Sequence, residues 1–302
     1  MKVKQLIELH PEVLQNRFNL SFSGSDSMAD VACVLRQQGV VMLQNALPPE
    51  MLAACRRSFA DFTRSLGRRR QWARLLDRDD RPTTEWANGE TPAGSWHNPW
   101  VVQHWLQRPA ATIISAVISS WVWPLVEDMC GSTDIAILLG LCQARHAIDI
   151  DLELGAHQDA KVLPEVAPFA LWIPLQTVVP GQHPGLGFVV GPPDGLLPTL
   201  PHNDVGPEYL LDNMKRVWVP EYQPGDISAH TKLLPHFTTG YGTGADRYSL
   251  ELRAVARKDA FNPLDNPSVF VSRVGVVLRV VGTHSEPPVR AKSFLRAFRV
   301  AA

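Results

Sequence analysis

With 302 residues, a formal net charge of -1 and an isoelectric point near 6.8, the chain can bury a sizeable core and has no global basic field for nucleic acid or anionic membrane. Its 25 prolines and 20 glycines are scattered, with no internal repeat or low-complexity tract, so a single domain over 1–302 is expected. The four cysteines, Cys33, Cys55, Cys130 and Cys142, form neither a C-x-x-C pair nor a zinc spacing and read as reduced thiols. With an N-terminus that lacks an apolar secretory segment, they set the expectation of a cytoplasmic protein.

Residues 27–39 read as a short amphipathic helix with Val31, Val34 and Leu35 on its apolar face, and Gly39–Gln44 as a strand of β-branched residues after a glycine stop. Leu47-Pro-Pro-Glu50 opens a second helix, since proline is tolerated in a first turn. Leu52, Cys55, Phe59, Phe62 and Leu66 then recur at helical spacing. From Arg64 to Arg81 seven arginines stand against Asp77, Asp79 and Asp80. They read as a solvated, partly self-neutralised face, or as a dock for the phosphates of coenzyme A or a carrier-protein arm. The Trp86–Trp105 stretch holds Trp96-His97-Asn-Pro-Trp100, whose aromatics either wall a substrate pocket or pack core and lid. Ala110–Met129 is almost uncharged, but its serines, Pro124 and lack of basic flanks predict a buried helix and no membrane span.

From Ile135 onward the pattern turns to β-structure. Ile148, Ile150, Leu152 and Leu154 alternate with Asp149, Asp151 and Glu153, as in a half-buried strand; the acids are its wet face, or an acidic wall suited to a cationic substrate. Phe169–Leu175, Gly187–Gly191, Arg247–Arg253 and Val269–Val281 read as further strands. Helices first and strands afterwards predict an α+β domain around a double-sheet barrel.

His157-Gln-Asp159 lies in that second half. On a strand, residues i and i+2 share a face, so His157 and Asp159 can converge on one ion, while a distant strand supplies His236, 77 residues later. Two imidazoles and one carboxylate can occupy one triangular face of an octahedral Fe(II) and leave three adjacent positions open. Arg247 follows His236 by 11 residues, past the turn-forming run 240–246. A hairpin there would return a guanidinium beside the metal, able to grip a carboxylate through two hydrogen bonds.

Leu35–Glu50, His157-Gln-Asp159, Leu171-Trp-Ile-Pro-Leu175, Pro224-Gly-Asp226, His236-Phe-Thr238 and Arg247 together carry a resemblance to a known family. Over about residues 28–256 the chain resembles the phytanoyl-CoA dioxygenase family of Fe(II)/2-oxoglutarate oxygenases. The resemblance implies a double-stranded β-helix, a cupin-like jelly roll, with N-terminal and flanking helices. It implies iron held by His157, Asp159 and His236, and 2-oxoglutarate held by Arg247 and Thr238, with Gln143 and Arg145 in the place of further polar contacts. Trp172 joins Trp96, His97 and Trp100 as a candidate for the substrate pocket. The implied reaction uses O2 to oxidise, most simply to hydroxylate, a C–H bond of a small organic molecule of specialised metabolism, releasing succinate and CO2. A thioester on coenzyme A or a carrier protein stays open as the substrate's form.

Departures from the family are visible. Pro184–Pro193 replaces the Asn-Gly and Pro-Gly-Ser-His elements that often follow the third core strand. Residues 257–302 match no motif and are expected as an extension packed on the core. Aspartate at position 159, where a halogenase keeps glycine or alanine, favours hydroxylation or another oxidation. Three competing readings remain. A cupin-like metalloenzyme could use the ligands without 2-oxoglutarate, against which Arg247 and Thr238 stand. A nucleic-acid demethylase with Arg247 and Arg253 as paired arginines fits the charge balance poorly. A non-enzymatic jelly-roll binding protein has no use for a full ligand set.

Overall fold

The computed structural model describes residues 10–15, 18–67, 108–139, 142–148, 156–161, 169–199, 205–239, 245–260, 268–272 and 275–279. Among the described residues before Ile135 the α-helices are α1 (Met28–Gln38), α2 (Pro49–Gly67), α3 (Arg108–Ser119) and α4 (Trp123–Cys130). Of the apolar faces predicted for the first two, Val31, Leu35, Leu52, Cys55 and Phe59 are at most 1% exposed and Val34 is half-buried. The side chains of Phe62 and Leu66, the arginine run beyond Gly67 and the whole Trp86–Trp105 stretch lie outside the described residues.

The single helix expected over Ala110–Met129 is two, meeting at 82°. Ser120 Oγ donates to Val117 O (2.8 Å) and accepts from Val122 N (3.2 Å), and Pro124 follows in the first turn of α4, where it has no N–H to continue α3. Among the described residues no single helix is long and apolar enough to cross a membrane.

The strands are β1 (Ser21–Phe22), β2 (Val40–Leu43), β3 (Ile135–Leu138), β4 (Gln143–Ile148), β5 (Phe169–Pro174), β6 (Leu186–Val189), β7 (Val217–Trp218), β8 (Ile227–Thr231), β9 (His236–Thr238), β10 (Asp246–Ala256), β11 (Ser268–Ser272) and β12 (Gly275–Arg279). They form a mixed α/β architecture around a large sheet in the order β1-β2-β8-β5-β10-β3-β11-β12, with β4 also on β10, and a small sheet in the order β7-β6-β9. Every described pairing is antiparallel except β1 with β2. The Val269–Val281 run, read as β-structure, holds β11 and β12, which pair antiparallel, and β11 extends the large sheet through β3. β4 is described as far as Ile148, and the rest of the alternating run lies outside the described residues.

The large sheet is buried on both faces, which is why β2 and β5 read as unbroken apolar runs. On one face Val41, Leu43, Leu171, Ile173, Ile227, Ala229, Leu250 and Leu252 join one core cluster with the helices. On the other, Val40, Met42 and Trp172 pack with Leu186, Phe188 and Trp218 of the small sheet and with Tyr222. These side chains pack the cleft between the two facing sheets. The Pro224-Gly-Asp226 motif ties the entry to β8 to the turn after β2. Gly225 takes φ +111°, a Cβ there would lie 2.6 Å from Leu47 O, and Asp226 accepts hydrogen bonds from Asn45 N (3.0 Å) and Gln223 N (2.8 Å).

Candidate metal centre

His157 and His236 face each other across an isolated antiparallel bridge, His157 N donating to His236 O (2.9 Å) and His236 N to His157 O (3.0 Å). Directly opposed residues share a face, and the two rings lie 4.3 Å apart. Asp159 arrives differently from the expectation that it would sit two places along the same strand. The chain leaves the bridge and enters a 3-10 turn over Asp159–Lys161, anchored by Ala160 N on Lys232 O (2.9 Å), so a turn brings the carboxylate to the imidazoles. One ligand atom from each of His157, Asp159 and His236 lies within 4.8 Å of the others. The two imidazole Nε2 atoms stand 3.9 and 4.0 Å from Asp159 Oδ1. Asp159 and His236 are buried, while the His157 side chain is 18% exposed and marks the open side.

Gln158, between two of these residues, is buried and points away from them. Its Nε2 donates to Leu233 O (2.6 Å) and Gly195 O (3.2 Å), and its Oε1 accepts from Leu197 N (2.7 Å). It thereby ties the His157–Asp159 segment to the approach to His236.

The electrostatics prepare a cation site. His236 Nδ1 lies 3.0 Å from Leu234 O; a carbonyl only accepts, so the ring proton sits on Nδ1 and the Nε2 lone pair faces Asp159. Burial first, then the charge of His230, lowers the His236 pKa to about 4. Burial pushes the Asp159 carboxyl upward, but Arg253 above all, then His236, His157 and His230, outweighs it and holds the group below the usual carboxylate range. Neutral imidazoles and an ionised carboxylate are the forms that ligate a metal.

Arg247 does not return on a hairpin. β9 belongs to the small sheet and β10 to the large one, so Arg247 reaches the cleft from the opposite wall. The residues at 240–244 lie outside the described part. Arg247 is 1% exposed; its Nη1 donates to Ser249 Oγ (2.5 Å) and its guanidinium lies 5.1 Å over the Trp172 ring. Trp172 is itself a buried residue of the inner core, edge-on to Tyr222 at 4.9 Å. Thr238, two places from His236 on β9 and so on the same face, is 1% exposed, and its Oγ1 has no hydrogen-bond partner among the described residues. Register sets Gln143 opposite Glu251 and Arg145 opposite Ser249. Trp96, His97 and Trp100 lie outside the described residues.

The sequence alone assigned no role to His230 and Glu251, and brought in Arg253 as the partner of Arg247 in the demethylase reading. Arg253 Nη2 lies 2.9 Å from Asp159 Oδ2, and its Nε donates to Glu251 Oε1 (2.8 Å). The His230 ring is fully buried 4.5 Å from that of His236, with neither nitrogen hydrogen-bonded among the described residues. One signal was present: β10 alternates Arg247, Ser249, Glu251 and Arg253 with Tyr248, Leu250 and Leu252, a polar row facing inward against an apolar one on the helices.

No family model and no curated protein matches the chain by sequence. Among solved structures it is similar to EctD from S. alaskensis, with 2-oxoglutarate and 5-hydroxyectoine, at a TM-score of 0.53 and 13% identity over 92% of this chain and 90% of that one. It also matches the non-heme monooxygenase ThoJ, in its apo form and its nickel complex. Both give a TM-score of 0.49 over 89% of this chain and 94% of that one, at 15% and 16% identity respectively. The EctD likeness is one of fold.

Proposed function

We propose that the chain is a non-haem Fe(II)/2-oxoglutarate-dependent oxygenase of the jelly-roll, double-stranded β-helix type, which hydroxylates or otherwise oxidises a C–H bond of a small organic molecule. The observation carrying this reading is the convergence of His157, Asp159 and His236, with Arg247 and Thr238 buried on the walls of the same cleft. The donor set fits iron: two imidazoles and one carboxylate, with the Nε2 lone pair of His236 aimed at the Asp159 oxygen that His157 also faces. His157, Asp159 and His236 would hold the ion, and bound Fe(II) would supply the O2-dependent oxidative decarboxylation that turns 2-oxoglutarate into succinate and CO2.

The chain's own residues do the positioning. Arg247 offers a planar fork, steadied by Ser249 and Trp172, to the distal carboxylate of the co-substrate. Thr238 Oγ1 is a buried hydroxyl whose hydrogen-bonding capacity a carboxylate oxygen would meet. Sheets closed over the cleft keep water from competing for these contacts.

The test is anaerobic titration of the protein with Fe(II), then with 2-oxoglutarate, followed by the charge-transfer absorption of the chelate. One equivalent of each should bind, and His236→Ala or Asp159→Ala should abolish the band while circular dichroism stays unchanged. Wild-type protein that binds no iron would remove the reading. Iron binding without 2-oxoglutarate binding would instead select a metalloenzyme that works without this co-substrate.

A further inference from the structure

The two oxygens of Asp159 have different surroundings. Oδ1 faces the Nε2 atoms of His157 and His236, whereas Oδ2 lies 2.9 Å from Arg253 Nη2. Arg253 is itself seated. Its Nε donates to Glu251 Oε1 at 2.8 Å, Nη2 reaches the same oxygen, and its backbone N–H points to Cys142 Sγ at 3.4 Å. Its side chain is 4% exposed and that of Glu251 12%, so the charges act in a poorly screened interior. Across the strand pair stands Ala170, a small neighbour for so large a side chain.

From this geometry we infer that Arg253, held by Glu251, is a positioning residue that confines Asp159 to ligation through Oδ1 alone. A guanidinium is a rigid plane, so fixing its Nε edge on Glu251 aims Nη2 at Asp159. An unrestrained carboxylate can turn and offer both oxygens to one ion, taking a position that the proposed chemistry needs for co-substrate or O2. The charge-assisted bond to Oδ2 opposes that rotation. Arg253 is thereby committed to two carboxylates of this chain, which leaves Arg247, of the two arginines described on β10's inner face, as the guanidinium for a co-substrate. The inference rests on the metal-centre reading above and adds a device to it.

Co(II) is the probe, because its binding is read without turnover. Affinity is measured by titration, and the carboxylate mode by metal-minus-apo infrared difference spectra, in which one-oxygen ligation splits the two carboxylate stretches more widely than two-oxygen ligation does. In Arg253→Met, affinity should fall by roughly 10- to 100-fold, the usual consequence of losing a group that orients a ligand, and the splitting should narrow. Arg253→Lys should recover part of the affinity, since an ammonium keeps the charge without the fork. Arg253→Met combined with Glu251→Gln removes the unpaired buried acid and serves if the single variant does not fold. Wild-type affinity and wild-type splitting in whichever methionine variant is folded would overturn the inference and leave the metal centre standing. Wild-type protein that binds no Co(II) or Fe(II) would overturn the metal centre itself, and this inference with it.

Discussion

Arg247 and Thr238 reach the cleft from opposite sheets, and their contributions should separate in binding. A two-point, charge-assisted grip by Arg247 on a carboxylate in a buried site is worth roughly 2–5 kcal/mol on truncation, part of which is the cost of leaving the anion unpaired. Arg247→Ala should therefore weaken 2-oxoglutarate far more than Fe(II), and Arg247→Lys should restore only a fraction. Thr238→Ala removes one hydrogen bond and should cost about 1 kcal/mol. Anaerobic titration of the Fe(II)–2-oxoglutarate band measures all three. Unchanged affinity in Arg247→Ala would make that arginine a structural residue stacked on Trp172. Arg253 could not then simply take its place, being bound to Asp159 and Glu251.

Strand β9 carries His236 and Thr238 on one face and Phe237 on the other, so whatever seats Phe237 also seats the two polar residues. That seat is Gly187, its cross-strand partner on β6, where an added Cβ would lie 2.3 Å from the Phe237 ring. Phe237 is fully buried against Val189, Val205 and Val217 and has no room to retreat. Gly187→Ala should cost about 1–3 kcal/mol in stability through overpacking, and should weaken metal binding because β9 must shift. Adding Phe237→Leu should return part of both. Thermal unfolding and Co(II) titration check this, and a Gly187→Ala protein indistinguishable from wild type would show that β9 is not seated by that ring. Such contacts are what the sequence concealed. The helical stripe of Val31 and Leu35, the strands read at Phe169–Leu175 and Arg247–Arg253, and the ligand-type residues themselves were legible, because periodicity and residue chemistry are local. The bridge between His157 and His236, the 3-10 turn that delivers Asp159, the break at Ser120 and the placing of β9 and β10 in different sheets were not. Each depends on a partner distant in the chain, or on a side-chain hydrogen bond to backbone that alternates with continued regular structure.

Layering of helices on one face and the small sheet on the other leaves the inner polar residues of the large sheet without solvent, and this makes the whole molecule sensitive to acid. Burial is the first cause that lowers the pKa of both His230 and His236 to about 4, from a usual 6.5. Asp159 pulls each upward, but His230 acts against His236, and Arg253 and His157 act against His230. An unfolded chain takes up these protons near pH 6.5 while the folded one refuses them until about pH 4. In that window the unfolded state binds more protons, so stability rises with pH and falls on acidification, by at most about 1.4 kcal/mol per pH unit for each histidine. Above the window neither ring contributes to the slope. Asp159 adds a second loss lower down: its folded pKa is depressed, so its stabilisation is present above its usual 3.8 and disappears as pH falls through the lower folded value. Melting temperatures of metal-free protein should thus be nearly flat with respect to these groups above pH 7 and fall steadily from pH 6.5 towards 4. His230→Leu, of similar volume and without a titrating ring, should remove at least half of the histidine slope, because His230 also helps to depress His236, while keeping the fold, since neither nitrogen of His230 is hydrogen-bonded among the described residues. Bound Fe(II) should steepen the fall, because protons and metal compete for His236 Nε2 and acid releases the ion before the fold is lost. A melting temperature independent of pH between 6.5 and 4 in both wild type and His230→Leu would mean that water reaches the inner imidazoles. The cleft between the sheets would then be open in solution.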